Sequence, residues 1–215
     1  MMETAVVAFT TFFATIGPLD VGPVFAAMTP SAAPKMRRRM AVRGTLIATG
    51  ILVTFALAGE VLLGSLGISL AALRVAGGIL LLLIAIDMVF ARPSGGTSTT
   101  EEELREGSGK ADVTVFPLAT PLIAGPGAMG AAILLMAGAE GDLVHQGIVL
   151  LMLLAVLVIT LISLLAASQL QRYLGVTGLH VISRVFGVLL AALAVQFMID
   201  GIAQSGLLVA GAPVG

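Results

Sequence analysis

The chain has no cysteine, no tryptophan, a single tyrosine (Tyr173) and only 11% charged residues. Without cysteine there is no disulfide, no thiolate nucleophile and no thiolate metal site, and the redox compartment is left open. Tyrosine and tryptophan concentrate at the headgroup level of membranes, so any aromatic belt here must be sparse. The shortage of charge excludes still more. With 58% of its 215 residues hydrophobic, a soluble domain of this length could not hide its apolar surface, and the composition reads as an integral membrane protein. The net charge of −1 says little, and nothing suggests a nucleic-acid partner.

What is present is a series of apolar stretches, each long enough to cross a hydrocarbon core that needs roughly 20 helical residues. They fall at 4–29, 44–66, 68–90, 113–137, 146–168 and 182–203. A secretory signal peptide opens on basic residues, whereas this chain opens Met1-Met2-Glu3 and stays apolar past the length of an h-region. The first stretch is therefore expected to be retained as a span. Lys35, Arg37, Arg38, Arg39 and Arg43 follow the first stretch, Arg92, Arg105 and Lys110 the third, and Arg172 the fifth. The other connections and both termini carry no Lys or Arg. The positive-inside rule then puts both termini on the extracytoplasmic side of a multi-pass protein.

The only long polar stretch is a Ser-, Gly- and charge-rich cytoplasmic linker at 92–112, which separates a first three-span half, 1–91, from a second, 113–215. The halves share an order of motifs. "GPLDVGP" (17–23) in the first span answers to "PLATPLIAGPG" (117–127) in the fourth. Arg74-x-x-Gly77 in the third answers to Arg184-x-x-Gly187 in the sixth, each followed by an apolar run and an acid, Asp87 or Asp200. An odd number of spans per half turns the second half upside down relative to the first. The expected fold is thus an all-α membrane protein of six transmembrane helices in two inverted three-helix repeats, with helices 1 and 4 broken near the membrane centre.

Proline inside a helix removes a donor and blocks the carbonyl four residues earlier, at a cost of roughly 3 kcal/mol in a soluble helix. In lipid, such backbone survives only where protein or a water-filled cavity surrounds it. Matching breaks in two repeats therefore point to a central site, with freed carbonyls suited to an ammonium and freed amide donors suited to a carboxylate. The substrate-binding candidates are Gly17, Pro18, Asp20, Gly22 and Pro23 from one break, and Thr120, Pro121, Gly125, Pro126 and Gly127 from the other. Thr10, Thr11 and Thr15 offer further hydroxyls, although span hydroxyls commonly bond back to their own helix.

The segment Pro117-Leu118-Ala119-Thr120-Pro121-Leu122-Ile123-Ala124-Gly125-Pro126-Gly127 resembles the P-L-x-x-P-L-x-x-G-P-G signature of the MarC family of prokaryotic inner-membrane proteins. Gly67-Ile68-Ser69 through Gly78, and Ile182 through Gln196-Phe197, fit the same family, so the resemblance covers nearly the whole chain. It implies a six-span protein of the prokaryotic cytoplasmic (inner) membrane, related to the lysine-exporter superfamily. Some relatives are described as transporters of small neutral amino acids such as glycine or alanine, with proton coupling proposed. Where the family commonly reads Asn or Asp, Pro, x, Gly, this chain reads Gly17-Pro18-Leu19-Asp20. On a helix, positions 17 and 20 share nearly one face, so the acid is displaced by one turn.

An intramembrane charge costs about 2.5 to 3.5 kcal/mol at a helix centre on insertion scales. Asp20, beside the first break, is the candidate proton carrier. The remaining charges suit structural or gating pairs: Arg74 with Asp200, Arg184 with Asp87, and Glu60 competing for Arg74 across a tight turn at Gly67. His145 and His180 read as solvated loop residues. No catalytic residue, metal site or cofactor is expected. The sequence points instead to a secondary transporter of small solutes, with an exporter, a channel or a non-transporting scaffold as alternatives. Its expected partners are the lipid bilayer, a small-molecule substrate such as an amino acid, and protons. A homo-oligomer is compatible with the sequence.

Overall fold

The computed structural model of the chain describes residues 1–29, 32–90, 112–139 and 141–205. Among these residues the fold is entirely helical. The helices are α1 (Met2–Ile16), α2 (Pro18–Met28), α3 (Pro34–Ser65), α4 (Leu70–Phe90), α5 (Thr114–Ile123), α6 (Pro126–Ala137), α7 (Leu143–Leu165) and α8 (Ala167–Gln204). Five segments are long and apolar enough to cross a membrane, and a sixth results when the bent pair α5 and α6 counts as one. Leu57, Val61, Leu83, Val158 and Val188 all stand exposed on the long helices. Apolar side chains outside the core are what a lipid-facing surface requires.

Three boundaries differ from the hydropathy reading. α3 begins at Pro34 rather than at 44, so its basic residues occupy its first turns. Hydropathy marks only the part of a helix that suits lipid, and Pro34 at the first helical position is a favourable start whatever follows in water. α8 likewise begins at Ala167, so the segment holding Arg172 and His180 is helical backbone rather than loop. The side chains at 167–180 lie outside the described residues, as do the 91–111 stretch of the linker and the side chain of Glu60. The third lies within the first apolar stretch, which hydropathy alone reads as one segment and which is two helices, α1 and α2, meeting at Gly17, inside the motif read above as a break.

The turn between α3 and α4 depends on a residue that tolerates the left-handed region. Gly67 has φ 70°, and Ile68 N–H reaches back to Leu63 O at 3.0 Å. That six-to-one bond closes the end of α3 and reverses the chain. At the opposite end of the molecule, Arg37 Nη2 donates to Thr29 O at 2.7 Å, tying the end of α2 to the start of α3.

Close helix packing is organised by glycine. The most extensive pairing is α4 against α8, and three glycines line that seam. A Cβ on Gly78 would stand 2.6 Å from Met198 Cγ and 2.7 Å from Ala194 O. One on Gly187 would stand 2.9 Å from Met88 Cβ, and one on Gly201 would stand 2.8 Å from Ala71 O. The two helices therefore touch backbone to backbone, where dispersion replaces the missing hydrophobic drive in lipid. α3 lies along both α5 and α6, and α7 lies along both α1 and α2. Gly44 and Gly59 admit Leu118 of α5 and Ile133 of α6 against α3. The first span is far more enclosed than the last, 56% buried against 22%.

The start of α5 carries a pH-dependent element outside the apolar core. Thr114 donates its hydroxyl and its N–H to Asp112 Oδ1, the latter at 2.9 Å. Chiefly the Thr114 hydroxyl, then its N–H, and more weakly Arg43 and Arg39, hold the Asp112 carboxyl below its ordinary 3.8 against a small opposing effect of burial. A carboxylate depressed in the folded state contributes stability that is complete above its unfolded pKa and is lost as pH falls through the folded one. Thermal melting in detergent from about pH 5 down to pH 3 should therefore cost wild type about 1–2 °C more than Asp112→Asn. Equal acid losses in the two proteins would contradict this.

Candidate functional site

Gly17 belongs to two helices at once. Its φ and ψ of 61° and 56° lie where a side chain is strained. Its N–H donates to Phe13 O at 3.0 Å, closing α1, while its carbonyl accepts from Asp20 N at 2.9 Å and Val21 N at 3.0 Å, opening α2. Pro18 follows at the first position of α2. Having no N–H, it cannot serve the carbonyl of Ala14, and Pro23 cannot serve that of Leu19. Asp20 falls in the first turn of α2, where the helix dipole favours a carboxylate. Its Oδ2 lies 3.5 Å from where a Cβ on Gly17 would stand. The carboxylate thus folds back over the interruption.

The second interruption is longer and differently built. α5 is wide-turned, with Leu118 N–H bonding Val113 O at 3.1 Å and Ala124 N–H bonding Ala119 O at 2.9 Å, each five residues back. Phe116 (φ −126°, ψ 126°) and Thr120 (φ −135°, ψ 130°) are extended. Both precede prolines, and a residue before proline is driven out of the helical region. The bonds Phe116-Pro117 and Thr120-Pro121 are cis. The four-residue repeat of "PLATPL" therefore writes one extended residue into each turn. After Gly125 the chain starts α6 at Pro126, bent 53° from α5. A helix's first turn presents N–H groups without helical partners, here those of Gly127 and Ala128, since Pro126 has none.

The ten sequence-derived residues stand on elements that pack against one another. α1 packs on α6, and α2 touches α5, so the elements that carry the two interruptions are in contact. Gly17, Pro18, Gly22, Gly125 and Gly127 are buried, while Asp20, Pro23, Thr120 and Pro121 are half-buried. Pro126 is exposed and starts a helix rather than lining an interior. Thr15 spends its hydroxyl on its own helix, donating to Thr11 O at 2.8 Å. Thr11 Oγ1 is fully buried and has no hydrogen-bond partner in the protein among the described residues. It leaves a polar group available about 1.7 turns before Gly17.

The charged residues form a second locus, of which the sequence pairs only Arg74 with Asp200. Glu3, Arg74, Asp142, His145 and Asp200 line one cavity of about 600 Å³ at the end of the bundle where α1 and α7 begin and α6 and α8 end. Arg74 is half-buried and donates from Nη1 to Gln204 Oε1 at 2.9 Å. Gln196 Nε2 donates to Asp200 Oδ1 at 2.8 Å. Asp142 caps α7, accepting from Val144 N at 2.8 Å and meeting His145 Nδ1 at 2.7 Å. The bond from His145, then those from backbone N–H groups, lower its pKa. His145 is thus a partner of the α7 cap rather than a free loop residue. At the other end of the bundle Arg184 is exposed and Asp87 half-buried, on either side of the Gly187 contact with Ala85 and Met88. Alternation of charge with apolar helix is visible in sequence, but the convergence of five helix ends on one cavity is not.

Fold and interruptions together define a multi-span helical membrane protein with irregular backbone inside its apolar bundle. The model of the MarC family of integral membrane proteins matches residues 2–205. The chain is 38% identical to the UPF0056 membrane protein MJ1677 of Methanocaldococcus jannaschii over 94% of this chain and 97% of that protein. It is 32% identical to the UPF0056 membrane protein YvbG of Bacillus subtilis over 94% and 95% of the two chains. It is 35% identical to the UPF0056 inner membrane protein YhgN of Escherichia coli K12 over 86% and 89%. No solved structure matches. The chain belongs to the MarC family.

Proposed function

We propose that the protein is a secondary transporter of small neutral amino acids, of the size of glycine or alanine, coupled to protons and working by alternating access. The observation that carries this reading is the contact between the elements that hold the two interruptions, α1 on α6 and α2 on α5. Two helix starts and two sets of carbonyls denied donors by proline are then carried on elements that pack together, a combination that suits both ends of a zwitterion. The packing pattern supports an inverted repeat. The second span crosses both parts of the fourth, the fifth crosses both parts of the first, and the third pairs with the sixth. Exchanging the halves leaves that list unchanged. Halves of this kind rock about a site near the bilayer midplane.

On this reading the cluster from Lys35 to Arg43 is cytoplasmic and both termini are extracytoplasmic. Asp20 carries the coupled proton. α2, α5 and α6 contain no other Asp, Glu, Lys, Arg or His, and α1 contains only Glu3 at its far end. The test is uptake of a panel of labelled amino acids by the purified protein in liposomes. Glycine or alanine should accumulate at least about tenfold over empty liposomes when a pH gradient is imposed. Saturable uptake that collapses with a protonophore separates a coupled transporter from a channel. Absence of flux for every solute would leave a non-transporting role.

A further inference from the structure

α3 is longer than a bilayer needs. Its apolar part, from Gly44 to Ser65, rises about 33 Å, which already fills a hydrocarbon core of about 30 Å. The residues from Pro34 to Arg43 add about 15 Å beyond it, more than the roughly 5–8 Å of a headgroup layer. One side of this overhang is docked on the bundle. Met40 is 2% and Ala41 0% exposed, and Arg37, on the same side, donates to Thr29 O at 2.7 Å. Lys35, Arg38, Arg39 and Arg43 are exposed on the other side, and none of them is in an ion pair among the described residues. Arg43 and Arg39 act on Asp112, at the start of α5, only weakly. Cations in the first turns of a helix oppose its dipole, a cost that an anionic partner removes.

The exposed cations continue a lipid-facing stripe. Lys35, Arg39, Arg43, Leu46, Leu57 and Val61 follow at steps of four, four, three, eleven and four residues. Each step is close to a whole number of turns, so all six stand on one side of α3. Leu46, Leu57 and Val61 are exposed, and Gly50, between them, leaves the stripe open, with nothing within 4 Å of a Cβ there. With the apolar part in the hydrocarbon, Arg43 and Arg39 stand in the headgroup layer and Lys35 at its water side. We propose that this side of α3 is a binding surface for anionic glycerophospholipids. Arg39 and Arg43 take the headgroup phosphate, whose oxygens match their planar forks. Lys35 and Arg38 add attraction from the rim, and the acyl chains lie along Leu46, Gly50 and Leu57. A soluble anion would use only the charges, whereas a lipid uses the whole stripe. Basic residues beside a span also orient it during insertion, but that role does not need an exposed face held in place by Arg37, Met40 and Ala41. The surface is separate from the two interruptions and does not depend on transport.

The test uses the full chain purified in dodecyl maltoside, an uncharged detergent in which no membrane side exists, so that insertion effects do not enter. The probes are phosphatidylglycerol, phosphatidylcholine with the same acyl chains, and free glycerol 3-phosphate, with binding isotherms read from native mass spectra. Phosphatidylglycerol should bind at least about tenfold more tightly than either of the others, since it alone brings both the net negative charge and the chains. Arg39→Gln combined with Arg43→Gln should weaken phosphatidylglycerol by about tenfold or more and leave phosphatidylcholine within about twofold. Arg39→Lys combined with Arg43→Lys, which keeps the charges and loses the forks, should fall between wild type and the double Gln variant. A wild-type measurement needs no variant to fold: raising salt from about 0.1 M to about 0.5 M should erode the preference severalfold, because exposed charges are screened. Equal binding of the two lipids by wild type, a preference indifferent to salt, or one that survives the double Gln variant would each overturn the lipid surface. Glycerol 3-phosphate binding as tightly as phosphatidylglycerol would overturn it too, and would assign the cations to a soluble anion.

Discussion

Replacing Asp20 with asparagine should reduce pH-gradient-driven amino-acid uptake by tenfold or more, to about the level seen without a gradient. The substitution preserves shape and keeps an acceptor oxygen beside Gly17, so α2 should still start where it does. What disappears is the ability to take up and release a proton. The expected loss is large because no other titratable side chain exists on α2, α5 or α6, leaving no neighbour to inherit the role. A competing account makes Asp20 only a favourable charge in the first turn of α2, worth about 0.3–1 kcal/mol. In that case, asparagine would lower the melting temperature slightly and leave coupled uptake within twofold of wild type. That outcome would remove Asp20 from the mechanism.

Gly78→Val should be the most damaging single change to the fold, costing roughly 3 kcal/mol or more, at the upper end for overpacking. Met198 could swing away from a new Cβ, but the carbonyl of Ala194 at 2.7 Å is main chain and cannot. α4 and α8 would have to separate along a seam also closed by Gly187 and Gly201. Gly50→Ala is the matched control. Nothing lies within 4 Å of a Cβ there, and alanine in a helix interior is better than glycine by about 0.5–1 kcal/mol. Thermal melting in detergent should therefore move in opposite directions for the two variants. Equal melting temperatures would show that the seam has slack that the contacts do not suggest.

Much of this molecule is legible from residue types alone, for physical reasons. Lipid accepts only apolar helical stretches of a certain length, so hydropathy finds the spans. Proline and glycine have few uses in mid-span, so "GPLDVGP" and "PLATPLIAGPG" announce interruptions. Helix overhang is less visible, because the first turns of α3 and α8 lie beyond the apolar stretch where polar residues are as helical as apolar ones. The wide turns of α5 were hidden too, since the choice between a kink and an extended residue before each proline depends on what surrounds it. The charged cavity at the start of α1 was least legible. Glu3, Arg74, Asp142, His145 and Asp200 stand on four helices and one cap, and only tertiary packing puts them round one space.

The way α3 lies along both α5 and α6, and α7 along both α1 and α2, has a mechanical consequence. Each unbroken helix acts as a splint across the fracture in the opposite half. Each fracture is braced from the opposite half of the chain, so bending at either one has to carry that half's helix with it or slide along it. A movement at one fracture would then reach the other half through helix backbone, without a relay of side chains.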